Sequence, residues 1–504
     1  MTGRFRHELL LFGVVLFAVA YFYNGANWNQ QSRLDAIFAF VEPGHAETGS
    51  FCIDRFLPDP ETGINTGDWS RNPRTGHYYS NKAPGPAMLG VPVYFVLFHG
   101  ERMIGADPTT GGWLLFNGYA LSVVLSGLPT AIAIVCFLAL LVSLGIARRR
   151  AFLLCVVLFF GTLLFPFSTQ LWGHSTAAAF VIVALLLFQR ESKAAMFGVG
   201  FCMGWAVLCE YTCAVILLTL IIALAWQQRW RQLLWVCLGG LLPLLLFAVY
   251  HRACFDSFFT VASVHNNPRF RDAGAVAGLF GRISPDAVLG LSVTPYRGLF
   301  FFMPVLLLSL YGVFRKGVPR DRLYWLCIVN IAIFFVVNAM FNGWHAGSST
   351  GARYQIPVLC FYVLLLTRLP DKPWTVPVLA ALLVLSTVNM TMIAAVNPMM
   401  PSGYADPSAF DPRFANPLAV VYRLFWLDML TPDILPIGLD TEVTELVRNY
   451  STFNLGELVG LPGKWSTLPW LVITGLGVWL GMKGEGQPAG DKEMPQAEQS
   501  GVGE

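Results

Sequence analysis

At 504 residues, with 55% apolar and only 12% charged side chains, the chain lies far outside the range of water-soluble domains, where about 25% of residues are charged. A net charge of +3, carried by short basic clusters between apolar runs, excludes a nucleic-acid-binding face. The ten cysteines fall mostly inside apolar runs and show no CxxC or Cys/His ligand spacing, so they read as small buried side chains rather than metal ligands.

Runs of about 20 apolar residues, each enough to cross a bilayer, recur along the chain and are oriented by the accumulation of Lys and Arg in cytoplasmic loops. Arg4 and Arg6 hold the N-terminus inside, and the first span, 8–24, is a retained signal anchor. An external loop, 25–113, follows. Its segment 86–100, short and rich in Pro and Gly, is expected to be an interfacial helix rather than a span. The run 114–145 then returns to Arg148, Arg149 and Arg150. Spans at 151–167, 174–189, 194–209, 211–227, 232–250, 298–315, 322–340, 353–368 and 373–395 alternate, each basic cluster falling on the same side. A second external segment, 396–466, carries Met399, Met400, Asp406, Asp411 and Arg413. A last span at 467–482 and a disordered cytoplasmic tail, 483–504, complete an all-α polytopic membrane protein of twelve expected spans. No inverted repeat with paired broken helices is visible, which argues against a secondary transporter.

Several polar residues lie at the expected external ends of spans, where desolvating them is costly and function is the default explanation. In the first loop Arg33 and Asp35 sit two residues apart on a short helix reaching Glu42, with Asp54, Asp68 and Lys82 beyond. A carboxylate there can take a proton from an acceptor hydroxyl; a local ion pair is the alternative. The stretch YYSNKAPGP sets Lys82 beside Tyr79 and a Pro/Gly turn, which suits a lipid phosphate, although snorkelling would also place a lysine there. His174 in LWGHS and Glu210 in LCEYT stand at span ends; a structural histidine and a tight turn are the plainer readings. Arg297 in YRGLFFFMP and Trp344, His345 and Arg353 in GWHAGSSTGARY complete the set. Lys82, Arg297 and Arg353 run against the positive-inside bias, and together they would make an anion site for phosphate or pyrophosphate. Cys52 and Cys254 share the external side, where a disulfide and a pair of thiols are both open.

The long acidic first loop, YYSNKAPG, RGLFFFMP and WHAGSSTGARY together resemble the membrane-embedded GT-C glycosyltransferases, in particular bacterial proteins of the protein mannosyltransferase and lipid A aminoarabinose transferase group (glycosyltransferase family 39-like). The resemblance covers most of residues 1–370. It implies transfer of a sugar from a polyprenyl-phosphate donor to a glycan, lipid or protein acceptor at the periplasmic face of a bacterial inner membrane. It also implies Asp35 as the general base, with Asp68 as second choice, and Lys82, assisted by Arg297 and Arg353, as the holder of the donor phosphate. One departure stands out: Gln30 and Gln31 occupy the place of an Asp-Glu pair found in many relatives. Gln170 and His174 stand where some relatives carry another acid, so no cofactor is expected and a divalent metal stays open. Two other classes fit parts of the pattern. A lipid-linked polysaccharide polymerase or ligase would place its large loop late in the chain, and a transporter would place charges at mid-membrane.

Overall fold

A bilayer core offers no water to backbone N–H and C=O groups, so the spanning segments must satisfy them internally as helices. The computed structural model, which describes residues 6–25, 27–43, 49–61, 65–270, 280–399, 415–430 and 452–483, is accordingly a helical bundle. Helices stand at every expected span. Five are long and apolar enough to cross a membrane by themselves: Gly111–Ser143, Trp230–Phe255, Arg322–Met340, Thr375–Val396 and Gly463–Met482. Shorter apolar helices, among them Gly173–Phe188, Lys193–Cys209 and Tyr211–Trp226, complete the bundle. Small residues let backbones meet where lipid offers no hydrophobic drive between helices. A Cβ on Gly200 would strike the Val236 carbonyl and one on Gly239 the Phe197 carbonyl, so helices Lys193–Cys209 and Trp230–Phe255 touch backbone to backbone.

The basic clusters gather at one end of the bundle. Arg148 pairs with Glu8, Arg150 bonds the carbonyls of Thr367 and Leu369, Arg368 pairs with Asp321, Arg322 reaches Gln227, and Arg229 pairs with Glu191. The opposite end carries the long loops. There helix Trp28–Val41, capped by Asn27, packs along helix Gly85–Met103. A hairpin of strands Trp69–Arg71 and Tyr78–Ser80 docks on the end of helix Trp230–Phe255 through Asn72 and Arg74, which bond the Cys254 carbonyl and Asp256.

Four details refine the sequence expectations. The first span ends at Tyr21, because Phe22–Asn24 form a strand antiparallel to Thr452–Asn454, a partner more than four hundred residues away. The run 111–143 is one continuous helix, and a widened π-type turn at Val123–Gly127 absorbs Pro129, whose ring and missing N–H would otherwise break it. Conversely, Pro304 splits the span expected at 298–315 into the short pieces Leu299–Phe302, Pro304–Leu306 and Leu307–Phe314. Cys52 and Cys254 remain thiols, buried in one apolar cluster with Tyr79, Tyr250 and Phe255. Met400, Asp406, Asp411, Arg413 and the tail beyond Lys483 lie outside the described residues.

Candidate functional site

Five separate segments converge at the loop end: helix Trp28–Val41, the stretch Asp68–Lys82, the two turns at Gln170–His174 and Cys209–Tyr211, and the start of helix Arg353–Leu366. Gly173 and Gly85 make the convergence possible. A Cβ on Gly173 would collide with the Cys209 carbonyl and lie 3.2 Å from Arg33 Nη2, and one on Gly85 would lie 2.6–2.7 Å from the Leu208–Cys209 peptide. Glycine therefore lets the turn carrying His174, the turn carrying Glu210 and the Arg33 guanidinium meet at one point.

The polar side chains there form one ion pair, one histidine–carboxylate contact and an excess of cations. Lys82 Nζ lies 2.8 Å from Asp68 Oδ1, with side-chain exposures of 19% and 12%. His174 Nδ1 lies 2.8 Å from Glu210 Oε2. Arg33, 3% exposed, bonds Asn29 through both its backbone and side-chain oxygens. Burial pushes the Arg33 guanidinium down to about 10, against the opposing pull of Glu210 and Asp68. Arg353, also buried, lies 4.4 Å above the Trp172 ring and 5.1 Å from the Tyr354 ring, and its Nη2 reaches the Tyr354 hydroxyl at 3.4 Å. Among the described residues no carboxylate pairs with Arg353, and Nε of both Arg33 and Arg353 lacks a hydrogen-bond partner. Burial lowers the Lys82 ammonium below the ordinary lysine value, Asp68 opposes this, and Arg33 and Arg353 add to it. At Glu210 burial alone would raise the carboxyl, but His174, Arg33 and Arg353 outweigh it and hold it below its ordinary value.

Two buried guanidiniums and the partly buried Lys82 ammonium thus face two carboxylates. Burying unpaired charge is expensive, so the arrangement is suited to receive an anion, with guanidinium and ammonium donors already turned inward. Arg33, Asp68, Lys82, His174, Glu210 and Arg353, all singled out in the sequence, belong to this cluster.

Other candidates are placed elsewhere. Asp35 does not sit beside Arg33: two residues apart on a helix, they project to opposite faces. Asp35 is fully buried, its Oδ1 accepting from Gln31 and its Oδ2 from Asn65, each at 2.9 Å. Arg297 is likewise fully buried, donating to the carbonyls of His345, Tyr296 and Gly347 at 2.6–2.8 Å, and so clamps the 343–351 loop instead of offering its charge to a ligand. Tyr79 turns into the apolar cluster against Phe255. Trp344 packs on Tyr296. His345, whose Nδ1 accepts from Gly347 N, is pushed down to about 4 by burial and by the Arg297 and Arg353 charges, which keeps it neutral. Sequence reading missed Trp172 and Tyr354, the two rings that bracket Arg353. The only signal was their adjacency to His174 and Arg353 themselves.

No protein-family model and no curated protein matches the chain. Among solved structures it is similar to ArnT from Cupriavidus metallidurans bound to undecaprenyl phosphate, with 14% identity and a TM-score of 0.45, covering 94% of this chain and 75% of that one. It is also similar to the apo state of the same protein, with 15% identity and a TM-score of 0.42 over the same shares of the two chains.

Proposed function

We propose that the protein is a membrane glycosyltransferase that moves a sugar from a polyprenyl-phosphate donor to an acceptor at the non-cytoplasmic face. The observation that carries this reading is the excess of cations, the buried Arg33 and Arg353 with the partly buried Lys82, beside two carboxylates at the end of the bundle opposite the basic clusters. Free phosphate would satisfy the same charges. A lipid-linked donor fits better because the outward faces of the bundle are apolar, as at Leu241, Leu242, Leu244 and Leu245 of helix Trp230–Phe255.

In this reading the donor phosphate binds Lys82 and Arg353, with Arg33 beneath, and displaces Asp68 from the Lys82 ammonium. Asp68 then accepts the proton of the acceptor hydroxyl as that oxygen forms a bond to the anomeric carbon. The bond from that carbon to the phosphate oxygen breaks, and the electron pair leaves with the polyprenyl phosphate, whose added charge the three cations stabilise. Asp68 takes the role of base ahead of Asp35, because both Asp35 oxygens are engaged inside the loop core. Glu210, held by His174, is assigned to orienting the acceptor.

The test is sugar transfer in proteoliposomes from a panel of radiolabelled polyprenyl-phosphate donors. Transfer by the wild type that is lost in Lys82→Ala and Asp68→Asn but kept in Asp35→Asn supports the assignment. Donor binding without transfer for every donor and acceptor would move the reading to a polymerase or ligase.

A further inference from the structure

Away from the cation cluster, at the edge of the hairpin, three ligand-type side chains meet. We propose that Cys52, Asp54 and His77 form a zinc site that staples the first loop and fixes the strand leading to Lys82.

The geometry follows from the register of the pairing. Cys52 lies opposite Tyr79 in an antiparallel bridge, and Ile53 N donates to the Tyr78 carbonyl at 2.9 Å. The same register sets Asp54 opposite His77. Asp54 opens the 3-10 turn Asp54–Phe56, and the Cys52 thiol, the Asp54 carboxylate and the His77 imidazole come together there. Their donor atoms lie within 4.8 Å of one another. Asp54 Oδ1 accepts from Tyr78 N at 2.6 Å, and Oδ2 lies 2.7 Å from His77 Nδ1. That backbone donor fixes the carboxylate in the manner of the outer-shell contacts that orient metal ligands.

Sulfur, nitrogen and oxygen donors together select zinc over magnesium or calcium, which take oxygen alone. Zinc with ligand bonds of about 2.0–2.3 Å fits between these three groups after small side-chain rotations, the His77 imidazole swinging off Asp54. On binding, the Cys52 thiol gives up its proton to solvent. The thiolate and the Asp54 carboxylate then balance the two positive charges of the ion. Cys52 is buried, whereas the Asp54 and His77 side chains are 32% and 46% exposed. The ion can enter from the His77 side, and a water can take the fourth position. The strand Tyr78–Ser80 runs directly into Lys82, so the staple acts on the geometry of the cation cluster and takes no part in the chemistry.

Metal uptake is independent of sugar transfer, so this inference and the proposed function fail separately. The full-length protein in nanodiscs, stripped with chelator, is titrated with zinc and with cobalt(II). We expect about one metal per chain, a thiolate-to-cobalt absorption band, and binding weakened at least ~100-fold in Cys52→Ser and His77→Ala. Cys254→Ser, in the same apolar cluster but outside the ligand set, should bind as the wild type does. His77 is exposed enough that His77→Ala should fold even if Cys52→Ser does not. The proposal is overturned if the wild type takes up no metal, if His77→Ala keeps wild-type affinity, or if the cobalt form lacks the thiolate band. Any of these results would leave His77 and Asp54 as a simple ion pair.

Discussion

Replacing Asp68 by asparagine should tighten donor binding while stopping transfer, an unusual pairing of effects that follows from its place beside Lys82. Asp68→Asn removes one charge 2.8 Å from the Lys82 ammonium. At an effective dielectric constant of about 20 the direct attraction at that distance is roughly 6 kcal/mol. A phosphate oxygen arriving at Lys82 regains most of it, so the net gain from deleting the competitor is put at about 1.4–3 kcal/mol, tenfold or more in affinity. The substitution should be structurally quiet. The Asp68 carbonyl accepts from Ser32 Oγ and Asn81 N, and its own N–H bonds Thr66 Oγ1, and all three contacts are made by the backbone. The assay is equilibrium binding of polyprenyl phosphate to nanodisc-embedded protein, alongside transfer measured on the same preparation. Lys82→Ala should weaken binding by ~100-fold, and the double variant should be no tighter than Lys82→Ala alone. Weaker binding by Asp68→Asn, or transfer at the wild-type rate, would refute the exchange of partners at Lys82.

Asp35→Ala should behave as a folding defect. It strands the Asn65 and Gln31 amides, at a cost of roughly 2–4 kcal/mol, so thermal midpoint and yield should fall while transfer per folded molecule stays near wild type. Gly173→Ala should push the His174 turn off the Cys209 carbonyl, with overpacking of about 1–3 kcal/mol and a loss of transfer larger than the loss of stability. The Lys82 ammonium, lowered by burial, should lose its proton below the ordinary lysine value, so polyprenyl-phosphate binding should decline on the alkaline side earlier than in Lys82→Arg. Stability moves the opposite way: between the lowered folded value and the ordinary unfolded one the unfolded chain holds more protons, so the penalty of burying this charge is relieved as pH rises. His345, neutral down to about 4, should erode stability as pH falls from its ordinary value toward that point, and His345→Gln should flatten that limb in a thermal-shift series.

The helices were legible because hydropathy is a local property that a bilayer reads segment by segment. The same logic exposed Lys82, Glu210, His174 and Arg353, polar residues stranded at apolar span ends. Three things were not legible. The strand at Phe22–Asn24 depends on a partner at Thr452–Asn454 that no local pattern announces. Asp35 and Asp68 look equally available in the chain, yet one is consumed by Asn65 and Gln31 while the other meets Lys82 at the rim of the cation cluster. Arg297 and Arg353 look like equivalent cations, but three carbonyls surround the first and two aromatic rings flank the second. Composition and periodicity therefore determined a helical membrane protein with its polar chemistry at one end. Only the tertiary structure decided which charges are spent on the fold and which are left for a ligand, because desolvation and hydrogen-bond satisfaction depend on neighbours distant in the chain.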